Sequence, residues 1–309
     1  MRVFRFGVTL FPVMSDRREW IETVRRAEAA GFAVVTVIDH FGTSGGIFSS
    51  LVSAYHAAPS LRFGTLVLNA DIWNPALVAR EVVTADVLTD GRFELGLGAG
   101  WNDDDYRTVG LARASVEQRL DKLVEAIHVL RQFFAGGPVQ HEGAYFTIEA
   151  GALPKPKQAG IPLLIGGGGR RILELAAREA DIVSLHRRLD RGVAASWRGE
   201  GATRDRVAER VGWVRDAAGA RFAELELHAL LQKVVVTDRR HEVAAELGGA
   251  HGLEAEDVLA SPHFLVGTVD EMAADLVERR SRWGISYWTL VGADALDAFA
   301  PVVQRLAGS

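Results

Sequence analysis

Short apolar runs alternate along the chain with segments whose hydrophobic residues recur at helical spacing. Phe4–Phe11 reads as a strand. Ser15 and Asp16 then offer helix caps, and Trp20, Ile21, Val24, Ala27 and Ala30 keep helical spacing up to a stop at Gly31. Phe32–Ile38 is β-branched and almost wholly apolar, which suits a strand covered on both faces. Phe48, Leu51, Val52 and Tyr55 mark a helix that ends before Pro59, and Arg62–Leu68 is the next strand. Asn74-Pro75 opens a helix with proline in its first turn; the helix ends at Asp90-Gly91, and Phe93–Leu97 is a fourth strand. The four strands begin near positions 4, 32, 62 and 93, so their starts lie 28, 30 and 31 residues apart. A strand–helix unit repeated this regularly predicts parallel strands joined by right-handed crossovers.

The rhythm then breaks. A long helix runs from about Ser115 to Phe134, a hairpin-like stretch covers Val139–Ile148, and Leu153-Pro154-Lys155-Pro156-Lys157 is a stiff loop. Strands resume at Ile161–Ile165 and Asp181–Leu185, with a helix over Ile172–Ala180 between them. Leu225–Val236 is too long for one strand, and Ile285–Val291 is the last. Eight β units with an insertion between the fourth and fifth predict an α/β fold. The economical closure is a (β/α)8 TIM barrel over a single domain, residues 1–309; a doubly wound open sheet is the alternative.

Charge narrows the function. A formal net charge of −5 speaks against a general nucleic-acid binder, which carries a basic surplus. The absence of cysteine excludes disulfides, thiol nucleophiles, iron–sulfur clusters and thiolate zinc sites. No run reaches the roughly 18 apolar residues of a membrane span. Met1–Gly7 leads straight into a strand without a signal peptide, so a cytoplasmic location with no membrane partner is expected.

In barrels the chemistry collects just past the C-terminal ends of the strands. Gly166-Gly167-Gly168-Gly169-Arg170-Arg171 follows a strand and leads into a helix, the arrangement in which backbone N–H groups and a helix N-terminus converge on a phosphate. It lacks the Lys-Ser/Thr of a nucleotide P-loop, and a tightly packed strand-to-helix turn is the competing explanation. Gly96-x-Gly98-x-Gly100 also follows a strand, but position 101 is Trp and no helical pattern starts until after Leu111. These glycines either pack the rim or let a flat ring lie on the backbone. Asp39-His40 ends the second strand and is the acid/base candidate. Arg187, Arg188 and Arg191, with Lys155 and Lys157, would crowd the rim near the phosphate loop. Gly42-Thr43-Ser44-Gly45-Gly46 fits a nucleophile elbow in letters, but Ser44 lies several residues past its strand, and a serine hydrolase is disfavoured. No histidine pair has zinc-ligand spacing, so no metal is expected.

Six blocks in order resemble the luciferase-like monooxygenase superfamily, in particular its coenzyme F420-dependent oxidoreductase branch. They are Arg5–Val8, Ala27–Phe32 with Asp39-His40-Phe41, Gly64–Asn69, Asn74–Glu81, Leu88–Trp101, and Pro162–Arg170 with Ala176–Asp181. The resemblance implies a barrel with a deazaflavin ring over its mouth and a non-proline cis peptide near Leu66-Val67. It implies that Asn69 meets the ring edge, that Gly98, Ala99, Gly100 and Trp101 line the ring or its ribityl chain, and that Gly166, Gly167, Gly168, Gly169 and Arg170 hold the phosphate. Asp39 and His40 would sit beside the reactive face, with Asp39 orienting His40. FMN is the competing cofactor. The monooxygenases often carry Glu-His-His after strand two, whereas this chain has Asp-His-Phe. The sugar-phosphate dehydrogenases of the branch carry a Glu where Trp101 stands, which points to a less polar small-molecule substrate, with Trp73 and Trp101 as an apolar wall. The expected activity is hydride transfer between cofactor C5 and that substrate. An FMN-dependent monooxygenase and an inactive cofactor-binding homologue are the alternatives. Dimers are common in the family, so a homodimer is expected.

Overall fold

The structure, a computed structural model, describes residues 2–11, 16–42, 45–187 and 201–309. Its first half runs β1 (Arg5–Leu10), α1 (Arg17–Ala29), β2 (Val34–Val37), α2 (Ile47–Ala57), β3 (Arg62–Thr65), β4 (Leu68–Asn69), α3 (Pro75–Leu88) and β5 (Phe93–Gly98). Next come α4 (Asp103–Thr108), α5 (Val116–Ala135), β6 (Val139–Glu142), β7 (Thr147–Ala150), β8 (Leu163–Gly167), α6 (Arg170–Glu179) and β9 (Ile182–Leu185). The chain ends with α7 (Arg204–Ala218), β10 (Glu226–Leu231), β11 (Lys233–Val236), α8 (Arg240–His251), α9 (Ala255–Ala260), β12 (Phe264–Gly267), α10 (Val269–Trp283), β13 (Ile285–Val291) and α11 (Leu296–Leu306).

The main sheet runs β3-β2-β1-β13-β10-β9-β8-β5, and β5 pairs back to β3 and β4. Every pairing is parallel, so the sheet closes into an eight-stranded TIM barrel in which β3 and β4 are two halves of the third strand. The period of two along each strand sorts the side chains. Phe6, Val8, Leu10, Val35, Val37 and Phe63 belong to the large core shared with the helices, while Val34, Leu66, Leu164, Ile182 and Tyr287 form a separate small cluster. Arg5, on the other face of β1 from Phe6, meets Glu94 at 2.5 Å and Glu226 at 2.6 Å, and Arg62 meets Glu94 at 2.6 Å. Arg5, Arg62 and Glu226 begin their strands and Glu94 is second in its own, so an ionic cluster seals the N-terminal end and leaves the C-terminal end for chemistry.

The eight strands read from the sequence are the eight of the barrel. The long run Leu225–Val236 divides at Gln232, whose N–H turns to the His263 carbonyl; β10 stays in the barrel and β11 pairs with β12 outside it. The antiparallel pair β6–β7 lies in the chain between the fourth and fifth barrel strands. One expectation is corrected: a helix, α4, already forms between Trp101 and Leu111. Asn102 caps it by accepting the Asp104 N–H, and three aspartates occupy its first turn, where the helix dipole favours them. Among the described residues no helix is long and apolar enough to cross a membrane.

Candidate functional site

At the C-terminal mouth the third strand is broken by a cis peptide bond between Leu66 and Val67, where the resemblance placed one. Three glycines make room for it. A Cβ on Gly96 would run into the Thr65 carbonyl, one on Gly98 would stand 2.7 Å from Val67 Cγ2, and one on Gly166 would stand 3.3 Å from Val67 Cγ1 and 3.0 Å from His186 Nε2. Thr65 Oγ1 fastens the bulge by donating to the Gly96 carbonyl at 2.7 Å and accepting its N–H at 2.9 Å. Packing against Val67 therefore leaves no room for a Cβ on Gly98 and crowds one on Gly166. Gly100 has φ +74°, a conformation suited to glycine, and a Cβ there would collide with the Asn69 amide and the Tyr106 hydroxyl. Asn69 is buried, its Oδ1 accepting the Asp71 N–H at 3.1 Å. The Ala99 carbonyl accepts from Arg119 Nε at 3.1 Å.

Asp39 and His40 lie just beyond β2. Asp39 does not orient His40. Its Oδ2 accepts from the Asn69 N–H at 2.9 Å and from Trp73 Nε1 at 3.0 Å. Burial raises the Asp39 carboxyl above its ordinary range, against the pull of these two donors. The carboxylate on His40 Nδ1 is Asp105, at 2.7 Å, which also accepts the Phe41 N–H at 3.0 Å. Asp105 is buried on α4, the helix the sequence reading missed. Trp101 stands edge-on to the His40 ring, with centroids 5.3 Å apart, and Trp73 packs edge-on against Phe48.

The glycine loop divides in the same way. A Cβ on Gly167 would collide with Ile172, whereas one on Gly169 would meet nothing within 4 Å. Gly169 is the N-cap of α6 and brings no side chain of its own to cap that end. Arg170 turns to Glu174 at 2.7 Å, and Arg171 to Glu117 at 3.2 Å and Asp121 at 3.4 Å, all exposed. Lys157 is not on this rim: it pairs with Asp90 and its N–H bonds Asp86, at the opposite, N-terminal end of β5. Lys155 packs on Gly136 after α5. Arg188, Arg191 and Ser44 lie outside the described residues.

A buried histidine, His228, and a half-buried one, His186, also stand here, without a motif to betray them. Ser184 Oγ lies 2.7 Å from His186 Nε2 and 2.6 Å from His228 Nδ1, and His228 Nε2 lies 2.8 Å from Thr289 Oγ1. Burial, with Arg187 and Arg210 nearby, pushes His186 down to about 4, and burial holds His228 well below its usual value. Both rings are therefore neutral near pH 7. The only sequence signal was the strand-end position of His186.

A family model described as luciferase-like monooxygenase matches residues 4–286. The chain belongs to the luciferase-like monooxygenase family. Within that family it is 27% identical over 238 residues to an F420-dependent glucose-6-phosphate dehydrogenase of Mycolicibacterium fortuitum, covering 74% of this chain and 68% of that one. It is 30% identical over 182 residues to the 5,10-methylenetetrahydromethanopterin reductase of Archaeoglobus fulgidus, covering 59% of this chain and 53% of that one. The chain spans about half the length of most of the curated relatives it matches. Two solved structures share the fold at a TM-score of 0.78. One is an F420-dependent secondary alcohol dehydrogenase in complex with an F420-acetone adduct, at 20% identity over 99% of this chain and 98% of that one. The other is the F420-dependent tetrahydromethanopterin reductase from Methanopyrus kandleri, at 18% identity over 99% of both chains.

Proposed function

We propose that the protein is a coenzyme F420-dependent oxidoreductase acting on a small organic substrate less polar than a sugar phosphate. The observation that carries this reading is that the His40–Asp105 pair and the glycine-led N-terminus of α6 lie at the same end of one barrel. The residues fit the cofactor: the space over Gly169 and the first-turn N–H groups of α6 suit its phosphate. Leu66, Val67, Asn69 and Gly98–Trp101 would border its ring, and Gly167–Arg170 its phosphate. When bound, the deazaflavin supplies a carbon, C5, that carries two electrons as hydride. The chain supplies position and a proton. The Asp105 carboxylate on Nδ1 orients the His40 imidazole, which is the group that would exchange a proton with the substrate. Asp39 holds Asn69 and Trp73 in register with that ring. Trp101 shields one edge of the imidazole from water.

The test is a fluorescence titration of the purified protein with F420 and with FMN, followed by F420 reduction with a panel of alcohol donors that includes glucose 6-phosphate. F420 should bind and FMN should not, and apolar donors should be used in preference. His40→Ala should lower turnover with F420 affinity kept, and Gly168→Asp should abolish tight F420 binding by setting a carboxylate against the phosphate. Binding of FMN alone would overturn the reading.

A further inference from the structure

Arg210, on α7, is 5% exposed. Its Nε donates to the Gly168 carbonyl at 3.2 Å and its Nη1 to the Gly201 carbonyl at 2.5 Å. Among the described residues it forms no ion pair; its neighbour Glu209 turns to Arg206 at 3.0 Å instead. A charge buried against carbonyls alone is costly, and burial accordingly lowers the Arg210 pKa. Such a group is an odd choice for a scaffold that needs only a packed helix there.

Its effect on the loop supplies a reason. In a trans peptide the C=O and the following N–H point to opposite sides. Once Arg210 draws the Gly168 carbonyl toward α7, the Gly169 N–H must face the other way. Gly169, the N-cap of α6, has no side chain of its own to cap that end, and a Cβ placed on it would meet nothing within 4 Å. We propose that Arg210 is the positioning residue of the phosphate seat, locking the Gly168–Gly169 peptide so that the Gly169 N–H and the first-turn N–H groups of α6 converge on the cofactor's phosphodiester. Arg170 and Arg171, the arginines adjoining the loop in sequence, are engaged with Glu174, Glu117 and Asp121. The cation that shapes the seat comes instead from α7, some forty residues downstream of the loop. This inference rests on the F420 reading above.

The experiment compares the full-length wild type with Arg210→Met and Arg210→Lys. Affinity is measured by fluorescence for F420 and for the deazaflavin nucleoside that lacks the phosphate and its tail, and each ligand-free protein is melted. Arg210→Met should weaken F420 about tenfold or more, the loss expected for charge-assisted hydrogen bonds. It should leave the phosphate-free nucleoside within about twofold and the ligand-free melting temperature no lower than that of the wild type. Arg210→Lys keeps the charge but cannot bridge both carbonyls, so it should also lose F420 selectively; if Arg210→Met fails to fold, this variant decides the matter. Equal weakening of both ligands, or unchanged F420 affinity in both variants, overturns the role of Arg210 alone. Failure of the wild type to bind F420 while it binds FMN overturns the cofactor reading and this inference with it.

Discussion

His263 is 4% exposed and contacts the Leu230 carbonyl through Nδ1 at 3.0 Å. A carbonyl only accepts, so Nδ1 carries a hydrogen there. Burial pushes the imidazole down to about 3, with His186, Arg210 and Arg187 adding repulsion. The unfolded chain titrates near 6.5. A folded-state pKa below the unfolded value means that, under about pH 6.5, the unfolded chain takes up a proton that the native state refuses. The stabilising contribution is thus complete above that pH and is lost as pH falls toward 3. From about pH 7.5 to about pH 4.5 one such group should remove about 2–3 kcal/mol of stability. Urea unfolding of the wild type and of His263→Gln across that range isolates the effect, because His186 and His228 titrate in both proteins. The variant should be the less stable at neutral pH, through lost packing, and the gap should close by about 2–3 kcal/mol at the acid end. A gap constant to within about 0.5 kcal/mol would refute the assignment of a buried, neutral His263.

Asp105→Asn removes the carboxylate partner of His40; turnover should fall about tenfold or more with F420 affinity kept, and an unchanged kcat would take Asp105 out of the mechanism. Gly98→Ala sets a Cβ 2.7 Å from Val67 Cγ2, so melting should reveal a loss of about 1–3 kcal/mol, together with weakened F420 binding. Arg5→Met strands Glu226 and leaves Glu94 with Arg62 alone, and urea unfolding should register a loss of about 3–5 kcal/mol; a loss under about 1 kcal/mol would mean that water already reaches this cluster.

The barrel was legible because parallel strands covered on both faces read as unbroken apolar runs, Phe32–Ile38 most plainly. Helix α4 was not, since Asp-Asp-Asp-Tyr-Arg-Thr has no apolar period and announces itself only through the Asn102 cap. With α4 went Asp105, whose bond to His40 joins residues 65 positions apart. Arg210 shares a helix face with Val207, Val211 and Val214, which marks it as the inward arginine of α7, but its partner Gly168 lies 42 positions away and no motif joins them. The glycines were seen but could not be sorted. A glycine required by a neighbour's methyl group and a glycine left open for a ligand are the same letter; only packing separates Gly96, Gly98 and Gly166, crowded by Thr65 and Val67, from Gly169, which faces space.

That separation bears on what the mouth can recognise. The strand-four and strand-five glycines that face Val67 make the bulge possible, so they set the platform on which a ring can lie without choosing the ring. Discrimination falls to the side chains around the platform. The resemblance implies a carboxylate after the strand-four glycines in branch members that take sugar phosphates, where this chain has Trp101. The acid has not vanished from the site; Asp105 stands four residues on, buried, with one oxygen on His40 Nδ1 and the other on the Phe41 N–H. Buried and engaged, that carboxylate orients the imidazole and is turned away from the mouth, while the Trp101 indole stands edge-on to the ring. On the proposed reading, the same histidine would be kept for proton transfer while Trp101 makes the substrate surface above it apolar.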